Sequence, residues 1–166
     1  MKFYAIQEPY SVGILLFFFV YFLGNISIFL YGFFYPTLLS KNRTLKKLKR
    51  LSWDDFEKLC MELFQKEGWN VRGNVKKGAD GGVDIWIERS MFWQSKTTAI
   101  VQCKKYEDSF VGIKVVREMY GLMYEYEVDG VYIVTTSRFT KECYKFIENK
   151  EIFLINGEDL VKLICK

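Results

Sequence analysis

A long stretch without charge near the start of the chain divides it into two unlike parts. No charged residue occurs from Pro9 to Ser40, where Phe, Leu, Ile, Tyr and Val dominate. A helix rises about 1.5 Å per residue and needs roughly 20 apolar residues to cross the hydrocarbon core of a bilayer. The sequence therefore predicts an N-terminal segment, residues 1–40, with one transmembrane helix over about residues 12–34. A cleaved signal peptide is the alternative, but no Ala-x-Ala site follows the apolar run.

A basic cluster follows this run directly. Residues 41–50 contain six basic side chains and no acid: Lys41, Arg43, Lys46, Lys47, Lys49 and Arg50. The positive-inside rule places such a flank in the cytoplasm, which predicts a single-pass protein of the plasma membrane with a cytoplasmic C-terminal part. As a juxtamembrane linker the cluster is expected to meet anionic headgroups of the lipid bilayer, with DNA capture as a second role.

The charge balance changes once this first part is set aside. Residues 1–50 hold seven basic and one acidic side chain, a net charge of +6, so residues 51–166 carry −2 of the +4 of the whole chain. A domain of this charge is not a generally basic binder of nucleic acid. Any recognition of phosphate must be local or must use bound cations.

The residue types that are missing restrict the chemistry further. The chain has no histidine and no Cys-x-x-Cys pair. Ser-His-Asp and Cys-His catalysis, zinc sites and histidine general bases are therefore excluded. The four cysteines stand among apolar neighbours, which predicts buried free thiols. Carboxylates, lysine and an oxygen-ligated metal ion remain.

Residues 51–166 predict one α/β domain with a mixed sheet flanked by helices. Ser52 is a suitable N-cap for a first helix that ends at Gly68. A helical crossover separates the central strand from the next one, which predicts that these two run parallel. The predicted strands cover 69–75, 83–87, 98–104, 130–135 and 152–155, and the later predicted helices cover 111–126, 140–149 and 157–164.

Two of these strands carry the polar residues of interest. Asp84 stands near the start of one apolar run, and Gln102 and Lys104 lie on the same side of the next because strand side chains alternate. An inward-facing lysine costs free energy unless it meets an anion. This arrangement suits a metal-assisted phosphodiester hydrolase.

The same residues stand within a longer pattern that resembles the Mrr-like restriction endonucleases. The resemblance covers nearly all of residues 51–166 and implies the PD-(D/E)xK nuclease fold in its QxK variant, a restriction-endonuclease-like mixed sheet. It is carried by the helix with Glu57, Gly78-Ala79-Asp80-Gly81-Gly82-Val83-Asp84, Val101-Gln102-Cys103-Lys104-Lys105-Tyr106, Val116-Arg117-Glu118, Val134-Thr135-Thr136, Phe139-Thr140-Lys141-Glu142 and Ile155-Asn156-Gly157-Glu158-Asp159-Leu160.

The resemblance implies a set of roles for these positions. Asp84, the side-chain oxygen of Gln102 and the backbone carbonyl of Cys103 are expected to bind Mg²⁺ or Mn²⁺, an ion that prefers oxygen ligands. Lys104 is expected to orient the attacking water and offset charge on the phosphate. Glu57 is expected to reach the site through a water or as ligand to a second ion.

Other positions keep two interpretations each. Asp80 is either an acid supporting the site or a turn former. Arg117 either contacts phosphate or pairs with an acid, and Lys105 either contacts DNA or is solvated. Taken singly, Asp84 is also compatible with capping its turn and Glu57 with a surface position. Gln102 is also compatible with a backbone hydrogen bond, and Lys104 with a solvated strand end.

Together these patterns predict a membrane-anchored, Mg²⁺-dependent DNA endonuclease with a role in restriction or DNA processing. The expected partners are double-stranded DNA, the lipid bilayer and a second copy of the chain as a homodimer, with no small-molecule cofactor. The alternative is a catalytically weak module that binds DNA or a partner and tethers DNA to the membrane.

Overall fold

A five-stranded mixed sheet lies at the centre of residues 37–166. In a computed structural model, residues 17–26, 37–73, 82–90 and 95–166 are described. The strands follow the order β1-β2-β3-β4-β5, and the first two pairings are antiparallel while the last two are parallel. They are β1 (Asn70–Gly73), β2 (Ile85–Arg89), β3 (Thr97–Lys104), β4 (Gly130–Thr135) and β5 (Ile152–Ile155).

Helices cover both faces of the sheet. Residues 17–26 are helical (α1) and belong to a separate unit, Met1–Pro36, while the sheet belongs to the unit Thr37–Lys166. The remaining helices are α2 (Leu38–Lys41), α3 (Leu45–Arg50), α4 (Trp53–Lys66), α5 (Ile113–Glu125), α6 (Lys141–Ile147) and α7 (Gly157–Cys165). The predicted mixed sheet flanked by helices is confirmed, as is the parallel pairing of the central strand with the one at Gly130.

The alternation of side chains along β3 divides the core in two. Ala99, Val101 and Cys103 join one cluster, and Ile100 joins the other. The first cluster brings α3, α4 and α7 against the sheet through Leu48, Phe56, Leu59, Cys60, Leu63 and Leu160, and the second brings α5 and α6 through Val116, Met119, Leu122 and Cys143. β3 is therefore packed on both sides, which restricts how its polar end can move.

Capping explains where α4 begins. The Ser52 hydroxyl accepts the N–H of Asp55 at 3.1 Å, and Asp54 and Asp55 lie in the first turn. An oxygen acceptor and acids at a helix N-terminus satisfy free N–H groups and complement the helix dipole. The predicted N-cap is confirmed.

Two of the predicted boundaries that differ from the structure lie beside backbone pairings. Val111, expected in a helix, pairs with Phe139 as an isolated bridge, and α5 begins only at Ile113. β2 begins at Ile85 rather than at Val83, although the N–H of Asp84 already donates to the carbonyl of Val101 at 3.0 Å. The backbone therefore pairs with β3 one residue before β2 begins.

The predicted membrane span was wrong. Across residues 17–26, 37–73, 82–90 and 95–166, no helix combines the length and the apolar character that a bilayer crossing requires. The rest of the predicted span, 12–16 and 27–34, lies outside the described residues. This finding does not support the predicted single-pass localisation in the plasma membrane, the cytoplasmic orientation or the bilayer as a partner.

The segment expected as a linker contains a core residue. Leu48 of α3 is fully buried in the cluster that also holds Phe56 and Leu160. The α3–α7 contact is close, because a Cβ added to Gly157 would lie 2.6 Å from Leu45 Cδ1. The domain boundaries at residues 40 and 50 stay predictions, but residues 45–50 pack as part of the sheet-centred unit.

Leu48→Ala is expected to lower the free energy of unfolding by about 2–4 kcal/mol, because it leaves a cavity among packed side chains. Urea denaturation of the full chain measures this value. Lys46→Ala is the matched control, since Lys46 is exposed on the same helix and its loss is expected to change stability by less than about 0.5 kcal/mol. Equal effects of the two substitutions would show that α3 does not contribute to the core.

Candidate active site

Asp84 is held by the backbone of the neighbouring strand. Its carboxylate Oδ2 accepts the N–H of Cys103 at 2.6 Å, and its own N–H donates to Val101. Gly82, two residues earlier, has a φ of +94°, a conformation that favours glycine and turns the chain into β2. The turn and the strand pairing together place an acid at the end of β3.

Gln102 brings a second polar group to the same point. Its side chain is only 3% exposed and shares the α5-facing side of β3 with Ile100. The amide nitrogen Nε2 donates to Asp84 Oδ2 and lies 3.4 Å from the carbonyl oxygen of Cys103, to which it also donates. The three expected metal ligands therefore converge, with the amide nitrogen of Gln102 in contact with the other two.

Burial controls the charge of Asp84. The pKa of this carboxyl is raised from 3.8 to about 6, mainly by burial and in addition by the negative charge of Glu57. The N–H of Cys103, the ammonium of Lys104 and the amide of Gln102 act in the opposite direction. Because desolvation of the carboxylate is the largest of these effects, a cation beside Asp84 would stabilise its charged form.

Glu57 lines the same pocket as Asp84. It lies on α4, is half-buried and accepts a hydrogen bond from the indole Nε1 of Trp53. A pocket of about 200 Å³ lies between α4 and the start of β2. It is lined by Asp54, Glu57, Lys58, Met61, Gly73, Asp84 and Ile85. The two carboxylates thus open onto one small pocket.

The donors at this site fit a hard divalent cation. In the described part of the chain, no three His, Cys, Asp or Glu side chains are grouped so as to hold a metal ion. A metal here would depend on the carboxylates of Asp84 and Glu57, the amide oxygen of Gln102 and the carbonyl of Cys103. These are all oxygen donors, the type that Mg²⁺ and Mn²⁺ prefer, and they leave ligand positions for water.

Lys104 completes the group at the end of β3. It is half-buried, and its positive charge lowers the pKa of Asp84. Its carbonyl accepts the hydroxyl of Thr135 at 2.6 Å, which anchors the strand end to β4 in the register Lys104↔Thr135. Lys105 is half-buried in the loop that follows.

Of the other predicted residues, Arg117 lies apart from this group and Asp80 is not described. Arg117 is exposed on α5, with its guanidinium carbon 5.7 Å from the ring centroid of Phe146 on α6. Asp80 lies outside the described residues. Their expected roles in supporting the site or contacting DNA stay predictions.

The cysteines follow the expectation in three of four positions. Cys60, Cys103 and Cys143 are buried free thiols, whereas Cys165 is exposed at the end of α7. Contact with the Cys60 thiol, together with burial, raises the pKa of Cys103 well above its ordinary value. Cys103 is therefore a neutral core side chain whose backbone faces the site.

Glu118 is a neighbour of the site that the sequence analysis named only within the Val116-Arg117-Glu118 match, without a role. A Cβ added to Gly82 would lie 2.7 Å from Gln102 Oε1 and 3.7 Å from Glu118 Oε1. Glu118 follows Val115 by three residues and precedes the buried Leu122 by four. Residues at these spacings are neighbours on a helix, so the pattern contained a signal that Glu118 borders the face turned to the sheet.

The comparisons with known proteins agree with this geometry. Residues 48–164 match the Mrr_cat family model, described as a restriction endonuclease, and the chain therefore belongs to this restriction endonuclease family. The expected family is confirmed, and with it a nuclease domain that occupies most of the chain. A comparison with curated proteins finds no match.

Solved structures share the fold. The DNA modification-dependent restriction endonuclease AspBHI is similar with a TM-score of 0.62 and 17% identity, over 72% of this chain and 33% of that one. The MspJI restriction endonuclease in complex with a 27-mer oligonucleotide is similar with a TM-score of 0.54 and 20% identity, over 72% and 30%. The protein of unknown function AF1548 gives 0.52 and 18%, over 64% and 63%.

These similarities confirm the restriction-endonuclease-like sheet flanked by helices. The chain spans about a third of the length of AspBHI and of MspJI.

Asp84→Asn is expected to stabilise the metal-free protein by about 1 kcal/mol at pH 7.5 and to have no such effect at pH 4. The folded-state pKa near 6 lies above the ordinary 3.8, so the contribution of Asp84 to stability is fully present below about pH 4 and is lost as pH rises through 6. Partial exposure of the carboxylate reduces the effect through solvent screening. Urea denaturation at both pH values, with a chelator present, measures it.

Asp108→Asn serves as the control. The Asp108 side chain is 95% exposed, and its pair with Lys49 lies at the surface, so its stability difference is expected to be small at both pH values. If Asp84→Asn changed stability equally at pH 4 and pH 7.5, burial of the Asp84 charge would not be the cause.

Proposed function

We propose that this protein is a DNA endonuclease that hydrolyses phosphodiester bonds with the help of Mg²⁺ or Mn²⁺, and that it belongs to the Mrr-like group acting in restriction or DNA processing. The observation that carries the proposal is the convergence of Asp84, Gln102 and the Cys103 carbonyl beside Lys104, in a domain of the restriction endonuclease family. A protein that only binds DNA has no need of this set.

The oxygen donors are proposed to hold the divalent ion between β2 and β3. Asp84, Gln102 and the Cys103 carbonyl are its ligands, and Glu57 binds it through water or binds a second ion. When bound, such an ion polarises the phosphate and lowers the pKa of its water. Because the metal-free Asp84 carboxyl has a pKa near 6, burial of its charge favours a cation as partner.

Lys104 is proposed to act on the phosphate and on the attacking water. Its backbone lies at the end of a strand packed on both sides, and its positive charge lowers the pKa of Asp84, so β3 and not a loop carries this lysine. An ammonium there offsets negative charge that develops on the phosphate oxygens and orients the water by hydrogen bonding. In the reaction, the oxygen of water bonds to phosphorus and a P–O bond of the DNA backbone breaks.

Double-stranded DNA is the proposed substrate, since a similar enzyme, MspJI, has been solved in complex with an oligonucleotide. Residues 51–166 have a net charge of −2, so the hold on DNA must come from local cations and from bound metal. Lys105, Arg117 and Asp80 are proposed to support DNA binding or the site. A homodimer would let two such sites act on the two strands of a duplex.

The proposal predicts that the full chain cleaves plasmid DNA with Mg²⁺ or Mn²⁺ and loses the activity with a chelator. Asp84→Ala and Lys104→Ala are each expected to reduce the cleavage rate by about 100-fold or more, because each removes a group that acts on charge in the transition state. Agarose gel electrophoresis over time measures the rate.

Lys162→Ala is the matched control for the loss of a lysine. Lys162 pairs with Asp159 at the surface of α7, and its removal is expected to leave cleavage unchanged. Cleavage that survived both Asp84→Ala and Lys104→Ala would contradict the proposed site. DNA binding without cleavage in either metal would instead indicate a catalytically weak DNA-binding module.

A further inference from the structure

The two ends of the Gln102 amide have different surroundings. The nitrogen Nε2 donates to Asp84 Oδ2 and to the carbonyl of Cys103. The oxygen Oε1 faces Gly82, where an added Cβ would come within 2.7 Å of it, and Glu118 Oε1 borders the same point at 3.7 Å. The amide nitrogen therefore contacts the two other expected ligands. The amide oxygen lies on the side of Gly82 and Glu118.

This orientation is the reverse of what metal binding requires. A cation bound by Asp84 and the Cys103 carbonyl must meet the oxygen of Gln102 and not its NH₂ group, because an amide nitrogen has no lone pair to offer. Rotation by 180° about the last side-chain torsion exchanges the two atoms with little change of shape, since this torsion is roughly twofold. Nε2 then points to Gly82 and Glu118.

The turned NH₂ group needs a new acceptor. Gln102 is 3% exposed, and a buried donor without a partner costs free energy. The Glu118 carboxylate is an acceptor without donors of its own, and its Oε1 lies 3.7 Å from the same Cβ position at Gly82 that is 2.7 Å from Gln102 Oε1, the place that Nε2 would take. A hydrogen bond from Nε2 to Glu118 would hold the amide oxygen toward Asp84.

We propose that Glu118 is a positioning residue that holds the Gln102 amide in the orientation in which its oxygen binds the metal ion. The inference rests on the proposed function, because it takes Gln102 as a metal ligand. Glu118 itself does not contact the ion and acts through Gln102. Substitution of a residue that orients a metal ligand typically lowers metal affinity by about 10- to 100-fold.

Gly82 is part of the same arrangement. Any larger residue would place a Cβ against the amide and would also be strained at a φ of +94°. Because Gly82 has no side chain, the Gln102 amide oxygen and the Glu118 carboxylate oxygen both come close to the turn that carries Asp84. The turn at Gly82, the end of β3 and Glu118 of α5 thus lie around the Gln102 amide.

Metal binding without DNA tests the proposal, because no turnover is involved. Calorimetric titration of the full chain with Mn²⁺ is expected to show roughly tenfold weaker binding for Glu118→Ala, in line with the loss of a hydrogen bond to a metal ligand. Glu118→Gln is expected to remain within about threefold of wild type, because its amide oxygen accepts the same hydrogen bond. Glu125→Ala, at an exposed glutamate of the same helix, is expected to bind as wild type does.

A spectroscopic readout follows the amide itself. The side-chain NH₂ signals of Gln102 in a ¹H–¹⁵N spectrum are expected to shift on addition of diamagnetic Ca²⁺ in wild type and Glu118→Gln. A smaller shift is expected in Glu118→Ala at equal occupancy. A role of Glu118 in folding alone would not alter this shift.

Two outcomes would overturn the positioning role while the proposed function stands. One is unchanged Mn²⁺ affinity in Glu118→Ala. The other is equal weakening in Glu118→Ala and Glu118→Gln, which would mean that Glu118 acts through its charge. If wild type bound no Mn²⁺ in a manner sensitive to Asp84→Ala, the proposed metal site would fail and the positioning role with it.

Discussion

The hydrogen bond from the N–H of Cys103 to the Asp84 carboxylate is the contact on which the arrangement of this domain depends. It joins the start of β2 to the end of β3 over 2.6 Å and fixes an acid in a half-buried position. A charge-assisted bond of this kind is stronger than a neutral one, and it offsets part of the cost of desolvating a carboxylate. Without it, neither the amide of Gln102 nor Lys104 would have a fixed anion to face.

The fold supplies the rigidity that such a site needs. β3 is covered on one side by α3, α4 and α7 and on the other by α5, so its polar end projects from a strand held by two packed clusters. Lys104 is tied to β4 through Thr135. Sites built on packed strands keep their geometry more closely than sites on loops. The proposed chemistry therefore rests on the most constrained element of the domain.

Much of this arrangement could be predicted from the sequence because it follows from local rules. Alternation placed Gln102 and Lys104 on one side of a strand, the Ser52 cap placed α4, and a helical crossover implied parallel pairing. The resemblance to a nuclease family named Asp84 and Glu57, and both line one pocket. These features depend on residues close in sequence or on a pattern shared across a family.

The remaining features depend on contacts that no local pattern encodes. The burial of Leu48 is one case, because this leucine stands within a run of basic residues and nevertheless packs into the core. The approach of Glu118 to Gly82 is another, since it joins residues 36 positions apart through the placement of α5. The predicted membrane span rested on apolar composition alone, and no helix among residues 17–26, 37–73, 82–90 and 95–166 is long and apolar enough to cross a bilayer.

Cys103 belongs to the core through its side chain and to the site through its backbone. Its thiol packs beside Cys60, whereas its N–H holds Asp84 and its carbonyl accepts from Gln102. The peptide groups are the same for any residue other than proline. Other side chains of similar volume could therefore replace Cys103 without changing the backbone groups that it provides to the site. Sequence variation at this position says little about whether the site is retained.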